Sequence, residues 1–328
     1  MHVALIGAGT MGSTHAHAYK SFPGLSQVKV AWVFDKAHER AERLAQLLGA
    51  RATTRLEDVL EDELVQAVDI CLPTDLHRPF TEQAAAAGKH VFCEKPISIT
   101  LEDARAMVEA CRKAGVTLMV GHVLRFFAEY KAAHELVRSG RIGEAKVIRA
   151  TRASAFPRWA SDNWFADERR SGGPIVDLII HDIDWIRWTL GEVKRVYAKR
   201  NGNYALVTLR LESGAICHVE GSWAHPEGSP FTTKLEIAAT GGLFAMDNQS
   251  STPLHVQRNV DGQYVHERFS PAPADPYALE LVHFFECLKT GQTPLTHGEE
   301  AIRTLEVVLA ANESARTGKP VTLGGATA

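Results

Sequence analysis

Three short groups of residues carry chemistry in this chain of 328 residues. The first is Gly7-Ala8-Gly9-Thr10-Met11-Gly12, which follows the apolar run Val3-Ala4-Leu5-Ile6 and opens a helical segment. Gly7 permits a tight turn out of a buried strand, Gly9 lets the backbone approach a pyrophosphate, and Gly12 lets the helix pack closely on the strand. The unpaired N–H groups at the helix start would bind the phosphates. A G-x-G-x-x-G spacing is a weak signal by itself, and its context makes it specific. The second apolar run, Val28 to Phe34, ends in Asp35, close to the ~20 residues beyond the turn at which a carboxylate accepts the adenosine ribose hydroxyls. Such a carboxylate bonds a free 2′-hydroxyl and repels a 2′-phosphate, which favours NAD over NADP. Lys36 and Arg40 are the cations that could turn toward a phosphate or the cofactor; otherwise they are solvated charges on the next helix.

The second group is Glu94-Lys95-Pro96, just past the apolar run His90–Cys93. Ligands of a doubly wound sheet bind beyond the carboxyl ends of its strands, so Lys95 points toward the cofactor crevice. Pro96 stiffens the turn and restricts Lys95 to an extended backbone. The third group lies in Ser171-Gly172-Gly173-Pro174-Ile175-Val176-Asp177-Leu178-Ile179-Ile180-His181-Asp182-Ile183-Asp184. On one α-helix from Pro174 onward, Asp177 and His181 are i and i+4 and share a face, with Asp184 three residues further on the same side. Ionisable groups on an otherwise apolar helix cost several kcal/mol unless paired or functional. A carboxylate beside an imidazole makes a base with its orienter. A structural hydrogen-bonded pair would use the same residues. A zinc site also would, but no H-E-x-x-H or cysteine cluster supplies a third ligand, and no metal is expected.

The elements that must position these groups follow from periodicity. Residues 2–121 alternate apolar runs with amphipathic segments, the pattern of a doubly wound parallel sheet. Strands are expected at Val3–Ile6, Val28–Phe34, Ala67–Leu72, His90–Cys93 and Thr117–Val120. Helices are expected at Met11–Ser21, Ala37–Leu48, Thr81–Ala87 and Leu101–Ala114, the last two stopped by Gly88 and Gly115. Beyond residue 121 a helix at Phe127–Ser139 leads into runs that alternate apolar and polar residues: Lys146–Ala155, Val193–Arg200, Tyr204–Leu211, Ala215–Trp223, Lys234–Ala239 and Val265–Phe269. They suit a large, mostly antiparallel open sheet with one covered face. Helices at Tyr277–Lys289 and Glu299–Arg316 close the chain, and a Gly/Ala tail follows Leu323. The expected architecture is an α/β chain with a Rossmann domain at 1–121 and an α+β substrate-binding and oligomerisation domain at 122–328. The open sheet face points to a homodimer or homotetramer.

Composition removes several classes of function. A net charge of −3 gives no basic footprint for nucleic acid. No apolar stretch approaches the ~18 residues of a membrane span. The first strand begins at residue 2 or 3, which leaves no room for a secretion signal, and the five cysteines are scattered singly, so a cytoplasmic protein with reduced core thiols is expected.

The Gly-Ala-Gly-Thr-Met-Gly turn, Glu94-Lys95-Pro96, Gly121-His122 followed by Arg125-Phe126, and Gly172-Gly173 with Asp177 and His181-Asp182 together resemble the Gfo/Idh/MocA oxidoreductases. That family includes glucose–fructose oxidoreductase and inositol dehydrogenase, and the resemblance spans essentially the whole chain. It implies an NAD-dependent oxidoreductase acting on a secondary alcohol of a sugar, sugar acid or cyclitol, with Lys95, Asp177 and His181 as the catalytic set. His181 would take the hydroxyl proton, Lys95 would hydrogen-bond the reacting oxygen, and Asp177 would orient the pair. Cofactor contacts carry over to Gly7, Gly9, Thr10, Met11, Gly12, Asp35, Leu72, Pro73, Thr74, His77, Glu94 and Lys95; His77 could equally be a plain helix-start residue. Pocket-lining candidates are His122, Arg125, Trp159 and Trp164, whereas Trp185 and Trp188 read as core. Inositol dehydrogenases tend to carry consecutive arginines where this chain has Leu124-Arg125, a departure that counts against inositol itself. Two other readings fit the same resemblance: an NAD-dependent glycosidase using transient oxidation and elimination, and a non-catalytic sugar or NAD sensor.

Overall fold

The alternation in the first third of the chain becomes a six-stranded parallel sheet. In a computed structural model that describes residues 1–160 and 162–324, this sheet contains β1 (His2–Ile6), β2 (Lys29–Phe34), β3 (Arg51–Thr53), β4 (Val65–Ile70), β5 (His90–Glu94) and β6 (Leu118–Gly121). Their order is β3-β2-β1-β4-β5-β6. The strand order reverses between β1 and β4, which is the switch point where open α/β sheets bind ligands. β1 and β4 are buried almost throughout, as strands covered on both faces must be. The connecting helices are α1 (Thr10–Ser21), α2 (His38–Leu48), α3 (Glu57–Leu60), α4 (His77–Ala86) and α5 (Leu101–Ala114). α2 buries Ala41, Leu44 and Ala45 at helical spacing. α5 begins where Thr100 accepts the Asp103 N–H and ends at Gly115 with φ 68°. α4 starts four residues earlier than expected, because Pro79 falls in its first turn, where a missing N–H costs nothing.

The second sheet has nine strands in the order β14-β13-β12-β11-β7-β10-β9-β8-β15. They are β7 (Ala145–Ala155), β8 (Val193–Asn201), β9 (Tyr204–Leu211), β10 (Ile216–His225), β11 (Thr232–Ala239), β12 (Gly242–Asp247), β13 (Leu254–Val260), β14 (Gln263–Phe269) and β15 (Val321–Thr322). β7 and β10 run parallel and the other pairs antiparallel. The helices are α6 (Ala128–Arg138), α7 (Glu168–Ser171), α8 (Ile180–Leu190), α9 (Pro276–Thr290) and α10 (Gly298–Thr317). One sheet face is covered by Val196, Ala198, Val207, Leu209, Cys217 and Val219, and the other exposes Tyr197, Tyr204, Leu206 and Ile216.

β12 and β13 were not expected from the sequence. β13 and β14 are nevertheless joined by Asp261-Gly262, both at positive φ, the dipeptide of a tight hairpin, so a signal for them was present. β3, α3 and β15 are too short for periodicity to find. The Gly/Ala tail continues into residues 325–328, which lie outside the described residues.

The chain also returns to its first unit. That unit comprises Met1–Val123, Trp159–Ser171 and Asp275–Leu305; the second comprises Leu124–Arg158, Gly172–Ala274 and residues 306–324. α9 therefore packs in the first unit, with Phe285 against Tyr19 and Phe284 against Phe92 at ring separations of 6.2 and 5.8 Å. The five cysteines are free and buried. Among the described residues no helix is long and apolar enough to cross a membrane.

A single contact sets the position of α1 on β1. A Cβ on Gly12 would lie 1.9 Å from the Gly7 carbonyl oxygen, a backbone atom with nowhere to move. Gly12→Ala is expected to lower stability by about 3 kcal/mol, checked by denaturant unfolding.

Candidate active site

The glycine turn has the features of a phosphate cradle. Gly7 takes φ 103°, its N–H donates to the Phe34 carbonyl at 2.8 Å, and a Cβ there would meet the Cys71 carbonyl oxygen at 2.5 Å. Gly9 caps α1 with no side-chain hydrogen bond, and there is no acid in the first turn. Among the described residues no side chain accepts from the first N–H groups of the helix, and Gly9 faces open space, with nothing within 4 Å of where a Cβ would stand. These features fit a bound pyrophosphate.

Asp35 sits beside the turn, 5% exposed. Its Oδ2 accepts the Ala8 N–H at 2.9 Å, and its Oδ1 accepts the Ala37 N–H at 2.8 Å. Both bonds hold the carboxylate in one orientation. Arg40 donates to the same Oδ1 from Nε and Nη2 at 3.1 and 2.6 Å. Lys36 lies 3.7 Å from Asp162. Each of the two cations that could serve a 2′-phosphate thus has a carboxylate partner.

Past β4 come Leu72, Pro73 and Thr74, and then His77, fully buried at the start of α4. Its ring nitrogens lie 2.8 Å from the Pro96 carbonyl and 2.9 Å from the Leu72 carbonyl. Burial pushes its pKa down, so at neutral pH the ring carries one N–H, which donates to one of the two carbonyls. His77 therefore ties the turn after β4 to the turn after β5, a larger role than that of a plain helix-start residue. In the second of these turns Lys95 is half-buried, joined to Pro96 by a cis peptide, and its backbone N–H donates to Glu94 Oε2 at 3.1 Å.

Behind this turn lies a buried charge cluster that sequence reasoning missed. His15 on α1 is fully buried, and its Nδ1 contacts Asp69 of β4 at 2.9 Å; Tyr19 donates to the same carboxylate at 3.0 Å. His15 Nε2 stands 3.2 Å from Glu94 Oε1. Glu280 of α9, also fully buried, brings a carboxylate oxygen within 4.8 Å of both. Asp69 in the middle of an apolar strand was the available signal. Burial is the largest single influence on His15 and disfavours its imidazolium, yet the charges of Asp69 and Cys71 and the hydrogen bonds to them together outweigh it and hold the pKa well above the usual value. Burial and then the charge of Glu94 raise Glu280 well above the carboxylate range.

In the second unit the single α-helix expected from Pro174 is not formed. Pro174–Leu178 is a π-helical turn, closed by the Ile179 N–H donating to the Pro174 carbonyl at 3.1 Å, and α8 begins only at Ile180. The wider turn breaks the 3.6-residue period between Asp177 and His181, so their i, i+4 spacing no longer implies a shared face. Gly221 of β10 accommodates this junction, since a Cβ there would lie 2.4 Å from Ile179 Cγ2. Asp177 is 7% exposed and His181 half-buried. Asp184, expected beside them, instead accepts both Nε and Nη2 of Arg125 at 2.9 and 2.7 Å. Arg125 is itself 3% exposed and lies over Trp188. Asp182 accepts Arg152 Nε at 2.7 Å, and Arg152 also reaches the Tyr130 hydroxyl. Trp185 is core, as expected, and Trp188, half-buried, stacks on His134 at 3.6 Å.

Of the remaining pocket candidates, His122 is buried in the first unit. Trp159 is 58% exposed and meets Phe165 edge-on, while Trp164 stacks on Phe165 at 4.0 Å. Their segment is tied to the turn after β4 by Arg170, whose Nε donates to Asp75 at 3.0 Å.

Comparison with known proteins bears on the whole arrangement. Residues 1–122 match the oxidoreductase family with an NAD-binding Rossmann fold, and residues 130–245 match the GFO/IDH/MocA C-terminal domain. The chain belongs to the Gfo/Idh/MocA oxidoreductases. Among these relatives, scyllo-inositol 2-dehydrogenase (NAD(+)) of Bacillus subtilis is 32% identical, over 98% of this chain and 95% of its own. Myo-inositol 2-dehydrogenase of Thermotoga maritima is 30% identical, over 98% of each. The solved oxidoreductase from Agrobacterium radiobacter, in complex with NAD+, L-tartaric acid and magnesium, superposes with a TM-score of 0.86 at 27% identity, covering 99% of this chain and 98% of that one. The Gfo/Idh/MocA chain described above is therefore a member of an NAD(P)-dependent family of sugar and cyclitol dehydrogenases.

The two raised groups make folding pH-dependent. Each keeps its proton in the folded state over a range where the unfolded chain has released it, so stability falls as pH rises, from about 4.3 upward for Glu280 and about 6.5 upward for His15. The buried His77, held low, contributes the opposite slope below about pH 6.5. Glu280→Gln is expected to flatten the decline of unfolding free energy as the pH rises above about 4.3. Denaturant titrations across that range check this, and an unchanged slope would contradict it.

Proposed function

We propose that the chain is an NAD-dependent dehydrogenase that oxidises a secondary alcohol of a sugar, sugar acid or cyclitol. NAD, when bound, accepts the hydride. His181 takes the hydroxyl proton, Lys95 hydrogen-bonds the reacting oxygen and stabilises its developing charge, and Asp177 orients them. In the reverse direction His181 acts as the acid. This reading is supported by whole-chain similarity to named inositol dehydrogenases and by the presence of all three residues at the motif positions.

The observation that carries the cofactor choice is the Asp35 carboxylate, fixed by two backbone N–H groups and paired with Arg40. It accepts ribose hydroxyls and opposes a 2′-phosphate. The enzyme works in the cytoplasm as a homodimer or homotetramer, through the sheet face that exposes Tyr197, Tyr204, Leu206 and Ile216.

Purified protein is to be tested with NAD+ and NADP+ against myo-inositol, scyllo-inositol, D-xylose, D-glucose and D-gluconate, following reduced nicotinamide. NAD+ is expected to give at least about tenfold higher kcat/KM than NADP+, and Asp35→Ser to erode that ratio by releasing Arg40. Lys95→Met and His181→Ala are each expected to lower kcat by about a hundredfold or more. Retention of activity within a few fold would remove those residues from the mechanism. Bond cleavage in a glycoside with no net NADH would replace the dehydrogenase reading by the glycosidase one. For the assembly, Leu206→Asp is expected to give monomers by light scattering.

A further inference from the structure

The buried cluster behind Lys95 forms a continuous chain of contacts. Asp69 Oδ2 meets His15 Nδ1 at 2.9 Å, His15 Nε2 meets Glu94 Oε1 at 3.2 Å, and Glu94 Oε2 accepts the Lys95 backbone N–H at 3.1 Å. His15 is fully buried and Glu94 5% exposed, with Phe92 and Tyr277 as the aromatic walls around the imidazole. We infer that His15, clamped by Asp69, is a positioning residue that fixes the Glu94 carboxylate and through it the backbone at Lys95.

The chemistry requires a proton on the shared edge. Asp69 accepts from Nδ1–H, so a neutral His15 would turn the bare lone pair of Nε2 toward a carboxylate oxygen, two acceptors face to face. The imidazolium donates Nδ1–H to Asp69 and sets its charged Nε2 edge 3.2 Å from Glu94 Oε1, an ion-pair contact outside hydrogen-bond alignment, and it neutralises one of the two buried charges it separates. Glu280 stands at the same edge, and neither of its carboxyl oxygens has a hydrogen-bond partner among the described residues. A third full negative charge there would add repulsion in a low dielectric, so Glu280 is held neutral beside the pair.

The placement has a functional meaning. α1 presents its N-terminus to the dinucleotide and, five residues after Thr10, holds the group that braces the Lys95 turn. One rigid helix thus refers the lysine and the cofactor cradle to a common frame, and catalysis depends on such registration to well under an ångström. This inference rests on the proposed role of Lys95 in catalysis.

Two isosteric substitutions separate the two edges of the ring. Asparagine places its amide near Nδ1 and keeps the Asp69 bond, whereas glutamine places its amide near Nε2 and keeps the Glu94 contact. With NAD+ bound, His15→Asn is expected to lower kcat on the best substrate of the panel at least about tenfold with KM within about threefold, and His15→Gln to stay within about threefold of wild type. Hydrogen-exchange mass spectrometry, which needs no turnover, is expected to show faster exchange confined to residues 90–100 in His15→Asn and restored protection in His15→Gln. Equal behaviour of the two variants, or faster exchange spread over the whole first unit, would overturn the positioning role. Wild-type turnover by Lys95→Met would overturn the lysine's role and this inference with it. An inactive Lys95→Met beside indistinguishable His15→Asn and His15→Gln would overturn this inference alone.

Discussion

The approach of Gly12 to the Gly7 carbonyl is the constraint on which the first unit depends. With no side chain between them, α1 lies directly against the end of β1, and the position of everything the helix carries is set. Its first N–H groups stand beside Asp35, which is bonded to Ala8 within the same turn. Further along the helix, His15 and Tyr19 reach Asp69 on β4, the neighbour of β1 across the switch point. Displacing the helix by the width of a methyl group would disturb the phosphate cradle, the ribose carboxylate and the buried ionic cluster together. Close packing makes such a shift costly, because interiors have little free volume to absorb it.

The two units handle buried charge differently. In the second, Arg125 pairs with Asp184 and Arg152 with Asp182, each through two nitrogens and each nearly out of contact with water. Guanidinium and carboxylate match in geometry, so each charge is met in full. Such pairs add little net stability, but removing one partner costs about 3–5 kcal/mol, so they fix where α8 lies. In the first unit no arginine is part of the cluster formed by Asp69, His15, Glu94 and Glu280. There, one imidazole stands between two carboxylates, and burial and the charge of Glu94 push the third carboxyl, Glu280, well above the usual carboxylate range.

What the sequence made legible follows the range of the interactions involved. The glycine turn, the strand before it and Asp35 are local or nearly so, and the parallel sheet followed from regular alternation. Gly115 marked the end of α5 because a C-terminal cap is read within one turn of helix. The π-turn at Pro174–Leu178 was not legible, since an apolar run fits either helical period and the close approach of Ile179 to Gly221 is visible only in the fold. Glu280 was equally hidden: its neighbours His15 and Glu94 lie 265 and 186 residues earlier in the chain. The hairpin signal at Asp261-Gly262 was legible, yet only its second strand was expected, over Val265–Phe269, and β13 was not. Arg125 carried a readable charge, but its partner Asp184 could be found only through the fold.

The return of Asp275–Leu305 to the first unit has a consequence for the order of synthesis. When the sheet from β1 to β6 has been translated, Phe92, Tyr19 and the His15 cluster still lack the cover that Phe284, Phe285 and Glu280 provide. About 150 residues must be added before that cover emerges, on the order of 10 s at ribosomal rates. The nucleotide-binding unit therefore begins first yet is completed only after the strands of the nine-stranded sheet up to β14. During that interval its exposed apolar and ionisable surface is a natural client for a chaperone, and a chain released early would carry the glycine turn without its completed core.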